Sequence, residues 1–169
     1  IYTPGDPTRS ILNLFFFNRG IKIWFYLTLG GLGLFYFLRQ LNVSILASVF
    51  SGIVSCLTPY AFGLINAGHM NKIYAMAFIP WVLMGAFQVI RKPTLKSVLF
   101  LSLVTAFQLW VNHPQIVYYT WMVIGFYLVW TMGFSVKDKS FSAKVSGKQI
   151  SGILAGLFLA LLMVSDPYI

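Results

Sequence analysis

The stretch KIYAMAFIPWVLMGAFQVIRK, residues 72–92, has Lys72 at one end, Arg91 and Lys92 at the other, and no charge between them. An apolar run of this length matches the ~30 Å hydrocarbon core of a bilayer when wound as an α-helix. Working outward, five more runs read the same way: Ile21–Leu38, Ser44–Ile65, Leu95–Val111, Gln115–Phe134 and Gln149–Val164. With Lys72–Ile90 they make six candidate spans, the fourth and sixth being the shortest. Each must be helical, because an open strand would leave its backbone groups unpaired in lipid. The expected fold is therefore all-α, a polytopic transmembrane helical bundle. Residues 1–20 form a loop with a short interfacial helix near Ser10–Phe17, and residues 21–169 form the membrane region.

Composition agrees. Of 169 residues, 59% are hydrophobic and 9% are charged, and the mean hydropathy is +0.81. A water-soluble domain carries charge on about a quarter of its residues. There is no Glu, and Asp6, Asp138 and Asp166 are the only acids. The net charge of +9 would point to nucleic acid in a soluble protein. Here the cations flank apolar runs, which speaks for topology and for membrane lipids as partners, and against nucleic acid. Cys56 is the single cysteine, so an intrachain disulfide and a cysteine metal cluster are both excluded. With no Met at Ile1 and an apolar run just before Asp166, the chain reads as a segment of a longer protein.

The connections assign sides. Those after the first, third and fifth runs hold Arg39, then Arg91, Lys92 and Lys96, then Lys137, Lys139, Lys144 and Lys148. The opposite side holds Lys72 with Arg9, Arg19 and Lys22. The positive-inside rule then puts the lysine-rich loops in the cytoplasm. Two polar clusters, Gly68–Lys72 and Asn112–Gln115, fall together on the external side, with Asp6 and Asp166. Small residues at Ala47, Ser48, Ser51, Gly52 and Ser55, and at Gly152 and Gly156, mark faces for close helix packing. Pro59 and Pro80 should kink their helices.

The two clusters hold both histidines, and candidate chemistry gathers there. His69 and Lys72, three residues apart, would share a helix face. A rim lysine can hold a lipid-linked phosphate as a point charge, and a histidine can carry a proton. The plainer role is a snorkelling lysine beside a helix cap. Asn112 is a candidate N-cap for a helix opened by Pro114, with His113, Gln115, Tyr118 and Tyr119 following as either site or aromatic belt. The catalytic candidates are thus His69, His113 and Asp166; the substrate-binding candidates are Lys72, Asn71, Gln115 and Tyr118. Paired carboxylates, a phosphate-binding glycine loop and nucleophile motifs are absent, and no metal site is assigned.

The order of Phe35-Tyr36-Phe37-Leu38-Arg39-Gln40-Leu41, Gly68-His69-Met70-Asn71-Lys72, Ile79-Pro80-Trp81-Val82-Leu83 and Asn112-His113-Pro114-Gln115-Ile116-Val117-Tyr118-Tyr119 resembles the YfhO family of bacterial membrane proteins. That family is similar to the GT-C glycosyltransferases of the cell envelope, which use a polyprenyl-phosphate sugar donor at the external face. The resemblance covers residues 20–130. It implies a multi-pass protein of the bacterial inner (cytoplasmic) membrane, with His69, Lys72, His113 and Gln115 lining the cavity where donor and acceptor meet. One departure stands out: the family's catalytic carboxylate belongs to the first external loop, where Asp6 is the only acid in this chain. The alternative is a non-catalytic subunit of a larger membrane protein complex, bound to lipid or to a haem or chlorophyll-type pigment. A transporter ranks third, because no charge lies mid-span to mark an ion path.

Overall fold

A computed structural model describes residues 18–133 and 147–165, and among these every regular element is helical. The elements are α1 (Arg19–Gln40), α2 (Ile45–Cys56), α3 (Pro59–Asn66), α4 (Met70–Ala77), α5 (Ile79–Arg91), α6 (Leu95–Trp110), α7 (Pro114–Gly133) and α8 (Gly147–Ser165). The interfacial helix expected over Ser10–Phe17, and Asp6, Asp138 and Asp166, lie outside the described residues.

Local chemistry sets the boundaries. The Asn18 side chain accepts from the Gly20 N–H at 2.8 Å and so caps α1, while Ser44 and Thr58 cap α2 and α3 in the same way. Thr94 and Ser97 form a reciprocal capping box that starts α6. Both prolines act as expected. Pro59 and Pro80 have no N–H to continue a helix, so the chain breaks at Leu57–Thr58 and at Phe78 and restarts. The two halves remain one apolar passage each, Ile45–Asn66 and Met70–Arg91.

Four passages are long and apolar enough to cross a membrane: Arg19–Gln40, Ile45–Asn66, Met70–Arg91 and Gly147–Ser165. The sequence pointed to six. Helix α6 is a shorter apolar helix of 16 residues, about 24 Å of rise, and it runs from the Arg91 end to the end that holds Val111. Helix α7 has 20 residues, with Tyr118, Tyr119 and Trp130 exposed along it. The Met70–Arg91 passage is central, 67% buried against 17–28% for the other three.

Lipid gives helices no hydrophobic reason to pair, so close packing must hold them together. Gly31 of α1 lies against Gly52 of α2; a Cβ on Gly31 would sit 2.8 Å from the Gly52 oxygen and closer still to Cys56 Sγ. The expected small-residue stripe is therefore the seam between α1 and α2, with Ser48 fully buried in it. Gly156 likewise meets Leu101 of α6, and Gly152 meets Val89 of α5. The opposite faces of α2 and α7 are apolar and open, with Leu46 82% and Phe126 73% exposed, as lipid contact requires.

Contacts fix which helix ends lie together. Arg91 Nη1 donates to the Gln40 carbonyl at 3.0 Å, joining the ends of α1 and α5. At the other end one buried cluster takes Tyr26 from α1, Leu64 from α3, Ile73 and Tyr74 from α4, Val111 after α6 and Ile116 from α7. Both polar clusters border that second end.

Candidate functional site

The two clusters share a backbone device. Gly68 (φ 75°) and Asn112 (φ 55°) both adopt the left-handed conformation that lets a chain leave one helix and enter the next within a few residues. Gly68 closes α3, and the His69 N–H donates to the Leu64 carbonyl at 2.9 Å. His69 occupies the N-cap position of α4 but makes no side-chain capping bond, and it is exposed. Asn112 does not take the N-cap place expected for it. Pro114 does open α7, so that place falls to His113, whose carbonyl accepts from the Ile116 N–H at 3.1 Å.

Lys72 and His69 are linked through backbone rather than side chains, the Lys72 N–H donating to the His69 carbonyl at 3.2 Å. The Lys72 ammonium lies 5.5 Å from the centre of the Tyr60 ring on α3, a cation–π arrangement. Asn71 is half-buried beside it. Gln115 turns along its own helix, its Nε2 donating to Tyr119 Oη at 3.0 Å, and Tyr118 is 65% exposed.

His113 belongs to a different recess. It lines a cavity of about 360 Å³ with Leu109, Asn112, Val117, Leu161 and Val164, between the α6–α7 turn and the end of α8. Its Nδ1 is buried and has no hydrogen-bond partner among the described residues. The structure thus separates residues that the sequence grouped: Lys72 faces α3, His113 faces α8, and Gln115 and Tyr118 face outward.

Two features escaped the sequence reading. Lys22, counted there only as a topological cation, is 7% exposed. Its ammonium lies 5.3 Å from the centre of the Tyr74 ring, and Tyr74 stacks on Tyr26 at 4.2 Å. Tyr26 in turn walls an apolar cavity of about 220 Å³ among α1, α3, α4 and α5, reached also by Gly30, Leu34, Ile73 and Pro80. Lys22 and Tyr26 are four residues apart, one turn on the same face of α1. A buried lysine therefore stands one turn beyond a membrane-level apolar cavity. The spacing Lys22-xxx-Tyr26 was the available signal.

The second feature is polar and internal. Gln108 of α6 is fully buried, and its Nε2 donates to Thr120 Oγ1 of α7 at 3.0 Å and to the Ala75 carbonyl of α4 at 3.3 Å. Thr120 itself donates to the Ile116 carbonyl at 2.8 Å. The Oε1 of Gln108 is buried with no hydrogen-bond partner among the described residues, so only the amide nitrogen is satisfied. A polar amide inside an apolar run was the available signal.

No family model, curated protein or solved structure matches the chain. Among the described residues no three of His, Cys, Asp or Glu come together as a metal site.

Proposed function

We propose that this membrane protein binds a lipid-linked phosphate at the end that carries its two polar clusters. The observation that carries the reading is Lys22, a buried cation against Tyr74, one turn beyond an apolar cavity. An isoprenoid or acyl chain suits the cavity, and a phosphate suits the ammonium. Lys72, held over Tyr60, supplies a second cation at the same end. Fixed cations on aromatic faces stabilise a developing phosphate leaving group more strongly than hydrated ones, because the site is partly dry.

The reaction we assign is the one the YfhO-like, GT-C-like resemblance implies: glycosyl transfer from a polyprenyl-phosphate donor, at the external face of a bacterial cytoplasmic membrane. Lys72 and Lys22 hold the phosphate, Asn71 and Gln115 offer hydrogen bonds to sugar or acceptor, and His69 is the proton carrier nearest Lys72 in the chain. His113, in its own recess, is placed for a positioning role. No carboxylate occurs among the described residues to act as the base.

The test uses undecaprenyl phosphate with the purified protein in bilayer discs, bound lipid being counted by native mass spectrometry. A charge-assisted contact contributes about 1.5–3 kcal/mol, so Lys22→Met and Lys72→Ala should each weaken retention about tenfold or more. Unchanged retention in the double variant would sink the phosphate role. The rival reading, a lipid- or pigment-associated subunit, predicts a visible absorption band that copurifies with the protein.

A further inference from the structure

The opposite end of the bundle carries a second site of different build. The last turns of α1 and α5 and the first turn of α6 border an open, shallow groove of about 470 Å³, lined by Gln40, Arg91, Lys92, Thr94, Lys96 and Phe100, with all three cations exposed. Arg91 is braced there: Nη1 donates to the Gln40 carbonyl at 3.0 Å and the guanidinium lies 4.7 Å from the centre of the Phe87 ring. Gln88 reinforces the brace, its Nε2 donating to Gln40 Oε1 at 3.4 Å. The 16-residue α6 begins at the groove, behind its Thr94–Ser97 capping box, and adds the positive end of its dipole.

Three cations thus converge, and no Asp or Glu occurs among the described residues. By sequence, the connections after the first, third and fifth apolar runs hold a single acid, Asp138, against eight lysines and arginines. The groove is therefore electropositive, and an anion is the ligand it would attract. The level of the groove says which kind. It sits where two passages that cross a membrane end and where α6 starts, the level of lipid headgroups. Beside Lys96 on the helix surface, Leu95, Leu99 and Leu103, spaced four apart, form an apolar strip on α6, 74%, 49% and 42% exposed. A phosphodiester in the groove would place its acyl chains along that strip.

We propose that this groove is a specific binding site for an anionic phospholipid, with the headgroup phosphate held by Arg91, Lys92 and Lys96 and the tails lying on Leu95, Leu99 and Leu103. Basic recesses between membrane helices hold such headgroups by this chemistry. The site lies at the other end of the bundle from Lys22 and Lys72, and does not depend on the function proposed for them.

The test compares retention of dioleoylphosphatidylglycerol and dioleoylphosphatidylcholine by the full chain, using native mass spectrometry from mixed micelles. Each Lys or Arg near the surface contributes about a fivefold preference for an anionic headgroup. The Lys92→Gln/Lys96→Gln variant, which spares the Arg91 brace, should lose about 25-fold in that preference. Arg39→Gln/Lys148→Gln removes the same charge from described positions outside the groove and should stay close to the parent. Equal losses in the two variants would mean diffuse attraction and overturn the site. Retained preference in Lys92→Gln/Lys96→Gln would overturn it as well. A third arm adds glycerol 3-phosphate, which has no tails. Competition at concentrations comparable with the lipid would make this a free-phosphate site and refute the lipid assignment, whereas failure to compete supports it.

Discussion

Replacing Gly31 with Ala tests whether the α1–α2 seam is as tight as its geometry states. The new Cβ would lie 2.8 Å from the Gly52 carbonyl oxygen and would also clash with Cys56 Sγ. Ordinary contact begins near 3.4 Å, so the backbone contact alone demands an opening of about 3.4 − 2.8 = 0.6 Å. A gap of that size forfeits a quarter to a half of the attraction between facing atoms along the seam. Overpacking of this kind costs about 1–3 kcal/mol. Gly125 on α7 is the comparison, since a Cβ there meets nothing within 4 Å. At Gly125 only the helix-propensity gain of Gly→Ala remains, up to about 1 kcal/mol. Both variants share that gain, so Gly31→Ala should be less stable than Gly125→Ala by about 1–3 kcal/mol in SDS-driven unfolding from bicelles, followed by circular dichroism. Adding Cys56→Ala removes the sulfur contact but leaves the carbonyl, so it should restore the loss only in part. Equal stability of the two alanine variants would refute the seam.

Two further outcomes follow from the interior. A double-mutant cycle on Gln108→Ala and Thr120→Ala should give a coupling near 0.6 kcal/mol and no more than about 1.7, the range for hydrogen bonds between membrane helices; zero coupling by the same unfolding assay would deny the bond. The thiol of Cys56 donates to the Leu27 and Gly52 carbonyls at 3.2 Å, within the seam. It should therefore react with a maleimide far more slowly than a cysteine placed at Leu46 on the open face of α2, and equal rates would mean that α2 is turned the other way.

Passages and breaks were legible because they rest on local chemistry. A run such as residues 73–90 can do little but cross a membrane, and Pro59 and Pro80 must interrupt a helix wherever it packs. The small-residue stripe at Ser48 and Gly52 was legible for a related reason: only small side chains permit the close approach seen at Gly31. The number of crossings was less so. Helix α6 reads as a span from its apolarity, and the Thr94 cap and the Asn112 turn trim it to 16 residues, a shorter helix than the four long passages.

Facing was not legible at all. In these helices apolar residues occupy every side, so periodicity does not separate a lipid face from a packed one. Gln115 and Tyr118 consequently looked like partners of Lys72, although the turn of α7 points them outward. His113 looked like a partner of His69, although the α6–α7 turn sends it toward α8. Lys22 looked like a surface charge until Tyr74 was found beneath it.

These facings give the two ends of the bundle unlike electrostatics. At one end Lys22 and Lys72 lie on aromatic rings, which replace part of their hydration and leave two localised cations next to an apolar cavity. At the other, Lys92 and Lys96 stand in water beside a braced Arg91, where charge is stronger in sum but screened over about 8 Å at physiological salt. The first arrangement favours one anion held in one place. The second favours an abundant anion drawn from the surrounding surface. A bilayer supplies the second ligand everywhere, so a structure with only the lysine-rich end would need no function beyond residence in a membrane. The other end differs in geometry: Lys22 is buried against Tyr74 one turn beyond an apolar cavity, a placement that none of the exposed cations of the lysine-rich end has.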